Sequence, residues 1–198
     1  MGSESRKNDR GYLLGEKELM NIGIFYELAI KHQKEHFEDC GAMPYAHGDV
    51  LTSLVAATHA QAILEVGTGI GYSTVCLALG NPSSQVHTID KNPLHIELAK
   101  KYFKEFGIDN QITTYTDTAE NTLPTFKHKF DLIFYDGFVP QIKFVKQFYD
   151  LLNEGGLLIS TNIFMADKKG GKYVKLLSDT SKWQTGIIDD TAISVKKY

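Results

Sequence analysis

One segment, residues 62–78, constrains the fold of this chain more than any other, and it reads AILEVGTGIGYSTVCLA. It opens with a short apolar run that suits a strand buried on both faces. Three glycines follow at alternate positions, Gly67, Gly69 and Gly71, and an apolar stretch of helical character then runs to Gly80. Glycine at a strand-to-helix turn lets a bound molecule approach the backbone, where any Cβ would collide. The segment therefore predicts a strand, a ligand-binding turn and a helix in succession.

The spacing of these glycines and the charge beside them narrow the class of ligand. Dinucleotide sites carry GxGxxG and hold a pyrophosphate at the helix N-terminus, whereas this chain has GxGxG preceded by Glu65. A carboxylate there repels a diphosphate and suits an ammonium group. S-adenosylmethionine (SAM) carries such a group, together with a sulfonium and no phosphate. Asp90 ends the next apolar run, at the place where doubly wound folds put an acid for ribose hydroxyls.

The same residues carry a family resemblance. The run Glu65 to Ala78 resembles motif I of the class I SAM-dependent methyltransferases, and the wider run is similar to the catechol and caffeoyl-CoA O-methyltransferase family and its bacterial relatives. The similarity extends from about Met43 to the C-terminus. It implies an α/β, Rossmann-like, doubly wound fold with a seven-stranded, mainly parallel sheet whose last strand is antiparallel. The alternation of strand and helix patterns along the chain agrees with this fold class.

The patterns also predict where individual elements lie. A helix is expected over 15–39 and another over 47–58, and Asn92-Pro93 supplies an N-cap and a first helical residue for a helix that Gly107 ends. Near the C-terminus we expect a helix over 140–152, a break at Gly155-Gly156, a strand over 157–161, a helix over 168–178 and strands over 183–188 and 192–197.

The donor side of the predicted site follows from the glycine motif and from the resemblance. Glu65 is expected to orient the methionine amino group, Ser73 to bind its carboxylate, and Asp90 to bind the ribose. The resemblance implies that the loop at Asp117 lies along the adenine and that a Met-containing segment, here Met43-Pro44-Tyr45, walls the site. The candidate cofactor-binding residues are Met43, Glu65, Gly67, Thr68, Gly69, Gly71, Tyr72, Ser73, Asp90, Lys91, Asp117, Thr118, Ala119 and Asp136.

The acceptor side departs from the pattern that the resemblance implies. Metal-dependent members bind a divalent cation with an Asp after the fourth strand and an Asp-Asn pair after the fifth. Asp136 and Asn162 match the first and last of these positions, but Thr161 stands in the middle one. A hard cation prefers several carboxylate oxygens, so the predicted metal set, Asp136 and Asn162, is incomplete. The sequence leaves open whether magnesium or calcium binds there.

Methyl transfer also needs a group that takes up the acceptor's proton. The resemblance implies a lysine three residues after the first Asp, where this chain has Val139, and Lys143 lies one helical turn further on. The candidates are Asp136, a hydroxide on a cation at Asp136 and Asn162, His47 and Lys143, and we favour Asp136. The candidate catalytic residues are therefore Asp136, Asn162 and His47.

Composition sets the remaining expectations. A chain of 198 residues is predicted to form a single domain, with a tail and helix in 1–40 packed on a methyltransferase domain in 41–198. A net charge of −3 does not call for a nucleic-acid or membrane partner. No signal-peptide core and no membrane-spanning segment is apparent, and two cysteines without metal-like spacing fit a cytoplasmic protein.

These observations predict a SAM-dependent methyltransferase that methylates a hydroxyl of a small molecule. Two alternatives remain at this point: an RNA-modifying methyltransferase on the same scaffold, and a binding module that keeps the cofactor site without catalysis. The short connection after Asn162 predicts an open acceptor side. The family resemblance implies a homodimer.

Overall fold

The computed structural model describes residues 16–40, 42–165 and 171–198. Within these ranges strands and helices alternate, and the predicted strand, turn and helix of residues 62–80 are confirmed. The helices are α1 (Glu16–Cys40), α2 (Gly48–Thr58), α3 (Tyr72–Gly80), α4 (Pro93–Glu105), α5 (Ala119–Thr122), α6 (Ile142–Leu151) and α7 (Gly171–Leu177). The strands are β1 (Ala62–Val66), β2 (Gln85–Asp90), β3 (Ile112–Thr116), β4 (Phe130–Tyr135), β5 (Leu152–Ser160), β6 (Trp183–Ile188) and β7 (Thr191–Lys196).

Capping residues fix the bounds of α4 as the sequence predicts. The Asn92 side chain accepts a hydrogen bond from the Leu94 N–H at 3.0 Å, and Pro93 occupies the first helical position. At the other end Gly107 adopts a positive φ of 69°, which glycine reaches without the steric cost that a Cβ brings. Both ends of the helix therefore carry the local signals that the sequence predicts.

The sheet has seven strands in the order β3-β2-β1-β4-β5-β7-β6. β1 pairs in parallel with β2 on one side and with β4 on the other, so the direction of winding reverses between β1 and β4. β7 is antiparallel to both of its neighbours, β5 and β6. The predicted doubly wound sheet with an antiparallel last strand is confirmed.

The start of β5 differs from the prediction. Its first residue is Leu152 rather than residue 157, and the two glycines lie inside the strand instead of breaking the chain before it. Gly155 has a φ of 76°, and the pairing of β4 with β5 shifts register between Phe130 and Leu132. Between these two pairs β5 advances three residues more than β4, and regular pairing resumes at Leu157, the predicted first residue of the strand. A glycine with positive φ suits such an irregular part of a strand, which the sequence pattern does not distinguish from a break.

Smaller differences affect the ends of other elements. β7 begins at Thr191, one residue before the predicted start, and α7 spans Gly171–Leu177. Residues 168–170 of the predicted last helix lie outside the described residues. Element ends of this kind depend on a single hydrogen bond each.

Helices cover both faces of the sheet and enclose two clusters of buried hydrophobic side chains. Side chains of α1, α2, α3 and α4 build one cluster, and those of α5, α6 and α7 build the other. Phe25 of α1 is buried, with ring centroids 5.9 Å from Tyr72 and 4.3 Å from Tyr102. In the ranges that the structure describes, we find no helix with the length and apolar character that crossing a membrane requires.

Candidate active site

A cavity of about 920 Å³ lies at the carboxyl ends of β1, β2 and β4. This is the edge at which doubly wound folds bind ligands, next to the point where the strand order reverses. Its size is that of a small-molecule site. Of the predicted site residues, the cavity is lined by Met43, Gly67, Thr68, Gly69, Tyr72, Ser73, Asp90, Lys91, Asp117, Thr118, Ala119, Asp136 and Asn162.

The glycine turn after β1 serves the protein's own packing as well as the cavity. Gly67 has a φ of 103°, and a Cβ there would overlap the backbone carbonyl oxygen of Asp136. At Gly71, which does not line the cavity, a Cβ would lie 2.7 Å from the Phe103 ring. A Cβ on Gly69 would have only the Ala42 side chain nearby, at 3.9 Å. Of the three glycines, Gly69 is therefore the one that leaves space on the cavity side.

The N-terminus of α3 is open toward this space. Gly71 precedes the helix without any side-chain cap, and the next two residues, Tyr72 and Ser73, both line the cavity. The first N–H groups of a helix have no intrahelical acceptor and favour a negatively charged group. The arrangement suits a carboxylate of a bound molecule.

Glu65 lies beneath this turn rather than in the cavity wall. Its side chain is fully buried and accepts hydrogen bonds from the hydroxyls of Ser73 at 2.6 Å, Thr88 at 2.6 Å and Thr74. Burial raises the pKa of Glu65 to about 7, against the opposing effect of the three hydroxyls. Since Ser73 lines the cavity and Glu65 does not, the structure links this acid to the predicted methionine site through the Ser73 hydroxyl.

Asp90 is the last residue of β2, and its side chain stabilises the glycine turn by a hydrogen bond. Its Oδ2 accepts a hydrogen bond from the Gly69 N–H at 2.9 Å, and its Oδ1 accepts one from the Asn92 N–H at 2.9 Å. Nδ1 of His95, on α4, lies 3.2 Å from Oδ2. The Asp90 side chain nevertheless lines the cavity, so it holds the turn while it faces the bound molecule's predicted ribose position.

The loop after β3 forms the next part of the wall. Asp117 is exposed and accepts hydrogen bonds from the Thr118 N–H at 2.6 Å and from Nδ2 of Asn121 at 2.9 Å. The Asn121 hydrogen bond, followed by that of the Thr118 N–H, lowers the pKa of Asp117. Thr118 and Ala119 line the cavity beside it, and their place along the adenine stays a prediction.

Asp136 follows β4 on the opposite side of the turn. Its Oδ1 accepts hydrogen bonds from the Thr161 hydroxyl at 2.5 Å and from Nδ2 of Asn162 at 3.3 Å. Burial raises the pKa of Asp136 to about 6, and the Thr161 hydrogen bond opposes that rise. A carboxyl with this pKa is mostly ionised near neutral pH and can still accept a proton.

The other predicted proton acceptors lie elsewhere. His47 is exposed at the start of α2, outside the cavity lining, with its ring 5.6 Å from that of Tyr45. Tyr45 does not line the cavity either, and its hydroxyl donates to Thr191 Oγ1 at 3.3 Å. Lys143 is also outside the lining, and its Nζ lies 2.5 Å from Oε1 of Glu120. The structure brings neither His47 nor Lys143 to Asp136.

Comparison with known proteins agrees with this geometry. Residues 23–175 match the family model described as O-methyltransferase. The chain belongs to the O-methyltransferase family. It is 30% identical over 125 residues to a catechol O-methyltransferase of Mycobacterium tuberculosis, and the aligned region covers 62% of this chain and 57% of that protein. It is 29% identical over 145 residues to catechol O-methyltransferase B of Danio rerio, covering 68% and 54% respectively.

The chain thus spans less than two thirds of the length of these curated relatives. An O-methyltransferase of Streptomyces achromogenes involved in tomaymycin synthesis, solved in complex with SAM, superposes with a TM-score of 0.79 at 20% identity. That superposition covers 94% of this chain and 92% of the other. At this identity the similarity concerns the fold, which is the predicted one.

The donor set around Asp136 does not suit the divalent cation that the sequence left open. The hydroxyl that stands in the middle position, on Thr161, is neutral, and Oδ1 of Asp136 already accepts two hydrogen bonds. Over residues 16–40, 42–165 and 171–198, no three His, Cys, Asp or Glu side chains are grouped so that they could hold a metal ion. A hard cation therefore lacks the carboxylate charge that it requires here.

Several residues of the wall were not predicted from the sequence. His32 of α1 and His95 of α4 line the cavity with ring centroids 5.7 Å apart, because α1 packs against α3 and α4, and no spacing pattern signals that contact. Phe138 and Met165 also line it, and their exposed fractions are 60% and 47%. In the sequence, the aromatic residue Phe138, two positions after Asp136, is the signal that could have indicated an apolar rim to the cavity.

Proposed function

We propose that this protein is a SAM-dependent methyltransferase that methylates a hydroxyl group of a small molecule. The observation that carries the proposal is that a single cavity is lined by Asp90 and by Asp136. The first is suited to a nucleoside ribose, and the second is suited to take up a proton. Membership of the O-methyltransferase family and the catechol O-methyltransferases among the relatives support the choice of oxygen as the acceptor atom.

The donor end of the cavity would hold the cofactor through this chain's own groups. The uncapped N-terminus of α3 and the Ser73 hydroxyl suit the methionine carboxylate. Asp90 suits the ribose hydroxyls, and the segment from Asp117 to Ala119 suits the adenine edge. Glu65 accepts a hydrogen bond from the Ser73 hydroxyl at 2.6 Å, so it would orient that hydroxyl for the cofactor without touching the cofactor itself.

When bound, SAM supplies a methyl group already activated by its sulfonium, and transfer forms a carbon–oxygen bond, breaks the carbon–sulfur bond and leaves a neutral thioether. The protein's contribution is then to align the acceptor hydroxyl and to receive its proton. Asp136 provides a carboxylate for that proton, because its Oδ2 accepts no hydrogen bond from the part of the chain that the structure describes. The apolar rim at Phe138 and Met165 would exclude water from an acceptor ring.

Calorimetric titration with SAM tests the donor site. Replacing Asp90 by Asn removes a charged acceptor, and hydrogen bonds to such groups contribute about 1.5–3 kcal/mol, so SAM affinity should fall roughly 10-fold to 100-fold. Asp109→Asn, on an exposed residue away from the cavity, serves as the matched control and should bind SAM like the wild type. Tighter binding of NAD than of SAM to the wild type would contradict the donor assignment.

Transfer of a radiolabelled methyl group tests the acceptor class. We expect label in catechol or in other phenols of a small panel, at a rate above that of protein-free SAM. Label in transfer RNA with none in the phenols would favour the RNA-modifying alternative instead. SAM binding without label in any hydroxyl, RNA or extract component would favour a non-catalytic module.

A further inference from the structure

Three residues at the acceptor end form a directed chain of hydrogen bonds. Nδ2 of Asn162 donates to Oγ1 of Thr161 at 3.2 Å, and the Thr161 hydroxyl donates to Oδ1 of Asp136 at 2.5 Å. A threonine hydroxyl has one proton and two lone pairs. Since the amide of Asn162 donates to Oγ1 of Thr161, the hydroxyl uses its own proton for the Asp136 carboxylate. Each bond polarises the next toward the carboxylate.

The backbone holds this chain of hydrogen bonds in place. The Thr161 N–H donates to the carbonyl of Tyr135 at 3.1 Å, and the Ile163 N–H donates to the carbonyl of Asp190 at 3.1 Å. Asn162 lies between them with a φ of 55°, a left-handed conformation that asparagine tolerates better than most residues. The side chains of Thr161 and Asn162 therefore face Asp136 because β4, β5 and the β6–β7 turn fix them there.

We propose that Thr161 is a positioning residue that orients Asp136 for a methyl transfer that needs no metal ion. This inference rests on the proposed function. The Thr161 hydroxyl fixes Oδ1 of Asp136 and thereby leaves Oδ2 directed to the acceptor hydroxyl. In this arrangement the Thr161 hydroxyl holds the proton-accepting carboxylate in one orientation, and no cation is needed to activate the acceptor hydroxyl.

The direction of the hydrogen bonds distinguishes a carboxylate held by Thr161 from a carboxylate that binds a cation. A cation beside Asp136 would need lone pairs from Thr161 and Asn162, whereas both residues direct protons toward Asp136 Oδ1. Thr161 is also buried, with 2% of its surface exposed, so water does not compete for its proton. A carboxylate in place of Thr161 should instead favour metal binding, because two acids would then share one buried space and attract a divalent cation.

The first experiment measures metal binding alone. Magnesium chloride is titrated into the wild type and into Thr161→Asp by calorimetry, and the melting temperature of each is recorded with and without the metal. We expect no binding and no shift in the wild type, and both binding and a rise in melting temperature in Thr161→Asp, since a ligand of the folded state raises its stability. Magnesium binding to the wild type would overturn the inference. A Thr161→Asp variant that does not bind magnesium would also overturn it.

The second experiment measures orientation through rate constants in the presence of EDTA. Thr161→Val is close in shape and lacks the hydroxyl, and Thr161→Ser retains it. With a phenol that the wild type methylates, kcat should fall roughly 10-fold to 100-fold in Thr161→Val. The expected fall is smaller than the full contribution of a proton acceptor, because Asp136 is still present but less well oriented. KM and SAM affinity should stay within about 2-fold, and Thr161→Ser should restore most of kcat.

These outcomes separate failure of the inference from failure of the proposed function. An unchanged kcat in Thr161→Val, or loss of wild-type turnover on adding EDTA, contradicts the positioning role while leaving the methyltransferase proposal intact. Absence of SAM binding in the wild type contradicts the methyltransferase proposal itself. The metal titration needs no acceptor, so it decides the cation question whichever hydroxyl is methylated.

Discussion

Gly67 and Asp136 are packed so closely that a Cβ on the glycine would overlap the backbone carbonyl oxygen of the aspartate. The Asp136 N–H also donates to the carbonyl of Val66 at 2.9 Å. The glycine turn after β1 and the proton-accepting end of β4 are thus joined through their backbones. The distance between the donor and acceptor ends of the cavity is therefore set by the sheet and not by flexible side chains.

Gly67→Ala is expected to destabilise the protein severely. The residue combines a φ of 103° with a steric overlap against backbone, and the two costs together are on the order of 4 kcal/mol. Gly69→Ala is the matched control, because its φ is 51° and its nearest neighbour is 3.9 Å away, so we expect a loss of only about 1–2 kcal/mol. Urea unfolding of both variants measures the difference, and equal losses would contradict it.

Glu65 is predicted to make stability depend on pH. Its pKa is raised from 4.5 to about 7 in the folded protein, so between these values the folded state binds more protons than the unfolded state. The free energy of unfolding should therefore fall as pH rises from 4.5 to 7, by on the order of 3 kcal/mol. It should then level off at higher pH.

Glu65→Gln should remove most of this decline and retain the fold, since an amide can still pair with rotated hydroxyls. Glu154→Gln, on an exposed residue of β5, provides the control and should follow the wild type. The measurement is the free energy of urea unfolding at pH values from 4.5 to 8. A Glu65→Gln profile parallel to that of the wild type would rule out this source of pH dependence.

Asp136→Asn should lower kcat without weakening the binding of SAM. Removing the carboxylate removes the proton acceptor, whose contribution is typically 10²-fold to 10⁴-fold, while the amide retains the shape of the side chain. Asp150→Asn is the control, because Asp150 is exposed and pairs with Lys146 at 2.7 Å away from the cavity. Single-turnover transfer to a phenol together with SAM calorimetry measures both quantities. A variant that keeps wild-type kcat would exclude Asp136 as the acceptor of the proton.

Lys196→Met should reduce stability through a lost helix cap. The Lys196 ammonium is buried and donates to the carbonyl oxygens of Tyr149 at 2.8 Å and Leu152 at 2.9 Å, at the end of α6. Leaving these carbonyls unsatisfied should cost about 2–3 kcal/mol. Lys197→Met loses one exposed hydrogen bond to Thr180, and we expect a loss below about 1 kcal/mol. Chemical denaturation compares the two, and equal effects would contradict the capping role.

Local signals in the sequence predicted much of the fold. The apolar run of β1, the glycines after it and Gly80 fixed the first strand and helix, because strand burial and helix termination depend on neighbours in the chain. The same holds for Asn92 and Pro93 at the start of α4. The sheet order came from the family resemblance, since no local pattern specifies which strands are adjacent.

The candidate site was predictable in position but not in its hydrogen bonds. Glu65 was expected to orient the methionine amino group. Its enclosure by hydroxyls from α3 and β2 was not predicted, because only the packing of both elements creates it. Thr161 lies 25 residues from Asp136 in the chain, and its contact depends on the parallel pairing of β4 with β5. Long-range register of this kind has no signature in a single sequence.

The sheet order also has a consequence for how the molecule is assembled during synthesis. Among the described residues, β6 pairs with the rest of the sheet only through β7, which lies between it and β5. A growing chain that has emerged as far as Ile188 therefore contains a strand with no neighbour to join, and residues 191–196 must appear before it can be incorporated. Any intermediate that lacks residues 191–196 should thus expose one edge of β5, which makes that edge a place for a chaperone to act on the nascent protein.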